Sequence, residues 1–251
     1  MDPEDYYGDK SFPDLDEIDW SALPSALASL QLFDDPYLRM QAMNIGIVDQ
    51  FLTALEYQVL EESFKDERDM SGMFFLGAQT QMWLFATYEL LRTWRARVEK
   101  TLTAHKNGGL KSRIKALSVE KDFTHYGRLS LANQLQRVLD DPNAKTRMEE
   151  DLRLTYTLFH QLEHLRVALA KHMVKGKDNS VALAPGYARL DTSSGSLLYE
   201  LEAGQVILDY LSRRNVAEGI RSWLARDIPT EDGLEAFKEY MKAGSRNPFA
   251  K

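Results

Sequence analysis

The chain has 251 residues, 44% hydrophobic and 27% charged, the composition of a globular protein large enough to bury a core. It contains no cysteine, which excludes disulfides, thiolate catalysis and Cys-ligated zinc or iron–sulfur centres and points to a reducing, cytoplasmic setting. The net charge of −7 averages two unlike parts, since residues 1–38 hold ten acids against Lys10 alone and leave the rest of the chain at +2.

Residues 1–35 read as an acidic N-terminal arm with a short helix near Ser21–Leu32. Tyr6, Tyr7, Phe12, Trp20 and Phe33 make it too apolar for a free tail, so it is expected to pack on the body. Its acidic start does not match a secretory or transit peptide, and no apolar run approaches the length of a membrane span. Residues 36–251 read as one helical domain. Asp34-Asp35-Pro36 opens a helix whose Leu38, Met43, Ile47, Phe51, Leu55 and Val59 fit a helical stripe. A second long helix is expected over Ser71–Ala104, with Phe74, Phe75, Trp83, Phe85 and Trp94 as core and Asn107-Gly108-Gly109 as its stop. Shorter helices follow near 110–118 and 128–140. A long run over 143–174 starts after the Asp140-Asp141-Pro142-Asn143 break.

The pattern then changes to strand-like alternation over Tyr187–Asp191, Ser196–Leu201 and Gln205–Leu211, with Ser194-Gly195-Ser196 as a hairpin turn. Helices over Asn215–Arg226 and Thr230–Ala243 close the chain, the second capped by Thr230. The expected fold is mainly α: an antiparallel helical bundle with a small β-hairpin or meander, near 186–212, inserted before the C-terminal helices.

Charged and chemically active groups concentrate in two places. Leu91–Lys115 holds Arg92, Arg95, Arg97, Lys100, Lys106, Lys111, Arg113 and Lys115 against Glu99 alone, either a phosphate-binding surface or a solvated helix face. The acidic arm is one candidate to cover it, in its own chain or a neighbour's. Three of the five histidines lie in the run Arg147–Val174. His160, Glu163 and His164 spell H-x-x-E-H, a zinc-peptidase pattern in which two histidines ligate the metal and Glu polarises water. No third ligand is identifiable, and such histidines are more often ordinary surface or half-buried residues. Arg166 and His172 form a second pair. Arg fixes and neutralises a phosphate, while His moves a proton near neutral pH, so RNA can be cleaved through its own 2′-hydroxyl without cofactor or metal. The bland alternative pairs Arg166 with Glu163 or Glu150 and leaves His172 as a cation ending a helix. Arg213-Arg214 offers a phosphate contact or, equally, the start of an exposed helix.

The stretch LRVALAKHMVKGKDN, with Arg166 and His172 in an R-x4–6-H pattern beside a helix break, resembles the HEPN family of helical bundles. Like several relatives, this chain carries a small β insert after the motif. TYELLRTWRAR resembles the polar helix that faces the motif there, with Glu89, Arg92 and Arg95 as supporting residues. The resemblance covers roughly residues 40–225. It implies a homodimer and a metal-independent endoribonuclease of toxin or anti-phage type, with Arg166 and His172 catalytic and Arg97, Lys100, Lys106, Lys111, Arg113 and Lys115 on RNA. Val167 stands where active members carry a polar residue. That departure favours the alternative, a non-catalytic HEPN-like interaction or regulatory subunit, with the acidic arm as one contact for a protein partner.

Overall fold

The computed structural model describes residues 12–65, 71–119, 126–171, 187–203 and 206–243. Tyr6, Tyr7 and His172 lie outside them. The elements follow as α1 (Ala22–Ala28), α2 (Pro36–Ser63), α3 (Ser71–Lys106), α4 (Leu110–Ser118), α5 (Tyr126–Asp140), α6 (Ala144–Leu154), α7 (Tyr156–Lys171), β1 (Arg189–Leu190), β2 (Leu197–Ala203), β3 (Val206–Ser212), α8 (Arg213–Ser222) and α9 (Glu231–Ala243). The fold is mainly α, and the strands form an antiparallel sheet in the order β1-β2-β3. Leu198 faces Ser212 across the β2–β3 ladder, and a register shift between Leu201 and Glu202 interrupts it toward the end of β2. Among the described residues no helix is long and apolar enough to cross a membrane.

Local chemistry sets most boundaries. The Asp35 carboxylate accepts from the backbone N–H groups of Tyr37 and Leu38, and Pro36 occupies the first turn, so α2 starts where the sequence predicts. Gly108 takes φ +68° and closes α3 with the bond from Gly109 N–H to the Ala104 carbonyl. Ser212 and Asn215 form a reciprocal capping box at the start of α8. Thr230 caps α9 by accepting from Gly233 N–H.

The run expected as one helix over 143–174 is instead two, broken at Thr155. The cause comes from α3. Arg95 donates to the Leu152 carbonyl (3.1 Å) and to Thr155 Oγ1 (2.9 Å), so a charged side chain competes for the carbonyl of the last α6 turn where the helix is interrupted.

One core joins α1, α2, α3, α7 and α8, with Leu27, Leu52, Trp94, Leu162 and Ile220 among its most buried members. Trp83 Nε1 donates to the Ile45 carbonyl (3.0 Å), and Trp94 Nε1 to the Gln31 carbonyl (2.8 Å), so one indole locks α3 to α2 and the other to the α1–α2 connection. The α2 stripe expected from the sequence is only partly the buried one. Leu38 and Val59 are buried, but Met43, Ile47 and Phe51 are exposed; Ala42, Ile45, Leu52 and Glu56 face inward instead. Phe74 and Phe75, expected in the core, are exposed as well, whereas Trp83 and Trp94 are buried.

The inward face of α2 holds ions beside its apolar residues. Arg213, expected at the start of an exposed helix, is fully buried. Its guanidinium donates to both Glu56 carboxylate oxygens (2.9 and 2.6 Å), to Thr53 Oγ1 (2.7 Å) and to the Asp49 carboxylate, and it lies over the Trp83 ring. Arg221 donates to the second Asp49 oxygen. Arg214 is buried too, donating to the Pro13 carbonyl (3.0 Å) beneath the Phe12 ring. The described part of the arm therefore packs on α8. Beside this cluster the turn at Gly195 (φ +72°) rests directly on α2, where an added Cβ would fall 2.0 Å from the Glu56 carbonyl oxygen.

Removing one partner from such a cluster strands the opposite charges without solvent. Arg213→Ala is expected to lower unfolding free energy by about 3–5 kcal/mol, read from urea denaturation. A loss below about 1 kcal/mol would show that the cluster does not hold α2 in place.

Candidate functional site

Two surfaces adjoin along α3. The first is the outward face of the α2–α3 pair. Trp83 bonded to Ile45, and Gly72 packed against Glu62 and Val59, make the two helices antiparallel neighbours. Gly46 set against Pro24 places α1 on the other flank of α2. The outward stripes of α2 and α3 therefore lie side by side. On α2, Met40, Met43, Ile47 and Phe51 follow one face of the helix opposite Ile45 and Leu52. On α3, Phe75 and Met82 do the same at seven-residue spacing. These six side chains are each between 49% and 66% exposed, and Phe74 beside them is 73% exposed.

What surrounds them is equally telling. Within 40–58 and 71–86, sixteen positions are exposed, and none carries a charge. The overall charged fraction of 27% would place about four there. The acids in these stretches, Asp49 and Glu56, are both turned inward to Arg213.

The second surface is a polar seam where α7 crosses α3. Glu89 continues the Phe75–Met82 stripe by another seven residues. Its carboxylate binds Arg92 Nη2 at 2.6 Å and stands 3.9 Å from Arg166 Nη2 on α7. Arg166 lies over the Tyr88 ring, whose hydroxyl is pushed above its ordinary pKa by burial and by the Glu163 carboxylate. The bond to Glu89 raises the Arg92 pKa, and burial lowers that of Arg95. The structure thus brings together Arg166, Glu89 and Arg92, three of the residues singled out from the sequence. Arg95 stands apart from them, buried over the Phe159 ring and spent on the α6–α7 break. Val167 follows Arg166 in α7, half-buried.

The basic stretch divides. Arg97 is turned to the Asp35 carboxylate (3.3 Å) at the start of α2, a contact between the end of the arm and this stretch. Lys100, Lys106, Lys111 and Lys115 are exposed, and Arg113 is half-buried.

His160 Nδ1 lies 3.2 Å from Glu163, packed against Tyr156 and Phe159. Among the described residues no three His, Asp or Glu side chains gather as a metal ion requires. A groove of about 550 Å³ runs between the arm, α7, β3 and α8, floored by Leu154, Leu158, Leu211 and Trp223. Of its charged groups, Glu218 is already held by Arg214 and Arg221, and Asp209 caps the Tyr210 N–H.

Sequence reasoning missed the α2–α3 face and the ion cluster behind it. The signal was present in part: Asp49, Thr53 and Glu56 share one helical face, a polar stripe opposite an apolar one.

Arg95 and Arg92, three residues apart on α3, separate by experiment. Arg95→Ala is expected to cost about 2–3 kcal/mol, because Thr155 and the Leu152 carbonyl lose a buried charged donor. Arg92→Ala is expected to stay within about 0.5 kcal/mol, since its side chain is exposed. Paired thermal melts check both, and equal losses would show that Arg95 is not the brace between α3 and the α6–α7 break. No family model matches this chain, and neither the curated proteins nor the solved structures compared with it give a match.

Proposed function

We propose that this protein is a helical association module that works by docking its α2–α3 face onto another polypeptide. The observation that carries it is the apolar stripe from Met40 to Phe51, continued by Phe75 and Met82, with no charge at any of the sixteen exposed positions within 40–58 and 71–86. Scattered exposed apolar residues are ordinary, but a contiguous uncharged patch of methionine and phenylalanine across two helices marks an interaction site. These side chains leave the fold's stability to the inward face, where Arg213 and the core hold α2. The homodimer and the regulatory-subunit role implied by the HEPN resemblance belong to this reading, and Val167 beside Arg166 agrees with the non-catalytic form.

The test is the size of the protein at its native expression level in cell extract, compared with an Ile47→Lys, Met82→Lys double variant. The wild type is expected to elute well above its 28.8 kDa mass and the variant at the monomer position. Wild type and variant both eluting as monomers would end the association reading.

The meeting of Glu89, Arg92 and Arg166 favours a second reading, RNA backbone cleavage without metal. Arg166 would neutralise the scissile phosphate, His172 would transfer the proton, and Lys100, Lys106, Lys111, Arg113 and Lys115 would hold the strand. Purified protein incubated with labelled single-stranded RNA in EDTA should then cleave it. Arg166→Ala and His172→Ala should each lower the rate by about 100-fold or more. An inactive wild type rules this reading out.

A further inference from the structure

We infer that the occupant of the α2–α3 face is a second copy of this chain, docked antiparallel about a two-fold axis at Ile47. The inference rests on the docking role proposed above and names the partner.

Charge decides the class of partner first. The face offers neither cation nor anion over its sixteen exposed positions, so nucleic acid and charged protein surfaces find no counter-charge there and would lose hydration uncompensated. A lipid surface is favoured by helices with lysine and arginine along the polar flank of an apolar stripe. Here the opposite side of α2 is the protein core. The surface that matches an uncharged apolar face is another such face, and this chain supplies one.

Shape decides the arrangement. A two-fold axis at Ile47 sets Met40 against Ala54 of the second copy, and Met43 against Phe51. The stripe is large at its Met40 end and small at Ala54, so antiparallel pairing fits large to small at both ends, whereas parallel pairing would stack Met40 on Met40. Met82 lies across from this centre on α3, since Trp83 is bonded to Ile45. Phe74 and Phe75 lie further along α3, near the Val59 end of α2, where Gly72 packs.

Area agrees. At about 200 Å² for a large side chain, the exposed fractions of the six stripe residues and Phe74 amount to about 800 Å². That is what each partner of a standard stable interface buries, about 800 Å².

Sedimentation of the purified full chain tests the inference. The wild type is expected at twice 28.8 kDa at micromolar concentration. Ile47→Lys should raise the dissociation constant at least about 10-fold with unchanged helical circular dichroism, because position 47 is 63% exposed and outside the core. The cysteine-free background supplies a second measurement. Ile47→Cys on the axis should cross-link into a covalent dimer under mild oxidation, and Lys111→Cys on α4 should not. A wild type that stays monomeric to about 100 μM overturns the inference. So does a dimer that Ile47→Lys leaves intact, or a monomer that binds phosphatidylcholine vesicles through this face. A purified monomer that still assembles in extract, and loses that assembly in the Ile47→Lys, Met82→Lys variant, refutes self-docking while leaving the association module standing.

Discussion

The buried guanidinium of Arg213 is the constraint on which the rest of this structure depends. It is out of contact with water and sits among two carboxylates and a hydroxyl, all from one face of α2. Burying such a group is unfavourable unless every donor is used and the charge is matched. Both conditions hold: Nε and both terminal nitrogens have acceptors, and Arg221 balances the second carboxylate charge. The geometry admits little variation, because a small rotation of α2 would break several charged bonds at once. Hydrophobic contacts alone would not discriminate so sharply between rotational settings, since α2 has apolar residues on more than one side.

That rotational lock explains how α2 comes to be turned partly inside out. Helices of water-soluble proteins ordinarily place apolar residues inward and charged ones outward. In the middle of α2, Asp49 and Glu56 point inward to Arg213, while Ile47 and Phe51 point outward. Turning Ile47 inward would strip the arginine of its partners. The exposed apolar stripe is thus the other side of the ion cluster, and one set of interactions both stabilises the fold and presents the face. The turn at Gly195 reinforces the setting from the sheet side, where its backbone leaves no room for a side chain against Glu56.

Legibility of the sequence followed the range of the interaction. Asp35-Pro36, Asn107-Gly108-Gly109 and Thr230 are local signals, and each marked a helix end correctly. So did the alternation that gave the meander. The break at Thr155 was invisible because Arg95, which donates to the Leu152 carbonyl there, comes from 57 residues earlier. The true inward face of α2 was invisible for the same reason, as Arg213 lies 157 residues from Glu56. Periodicity alone could not choose between two stripes on one helix when both contain apolar residues. The approach of Glu89 and Arg92 to Arg166 was expected only from a family resemblance, and neither spacing nor composition carried it.

The two surfaces along α3 are not independent. Phe75, Met82 and Glu89 fall on a single stripe, so the apolar face ends where the charged seam begins. A partner seated on the face would lie beside Glu89 and reduce the water around it. In a lower dielectric the Glu89–Arg92 pair, now exposed and weak, would strengthen, and Arg166 at 3.9 Å would be drawn toward the same carboxylate. Association would then tighten the seam and occupy the arginine that phosphate chemistry needs free. An RNA strand bound at the seam would instead compete with Glu89 for Arg166. On the two proposed readings, docking at the face and phosphate binding at the seam would oppose each other through one carboxylate, because Glu89 stands between Arg92 and Arg166 where the two surfaces meet.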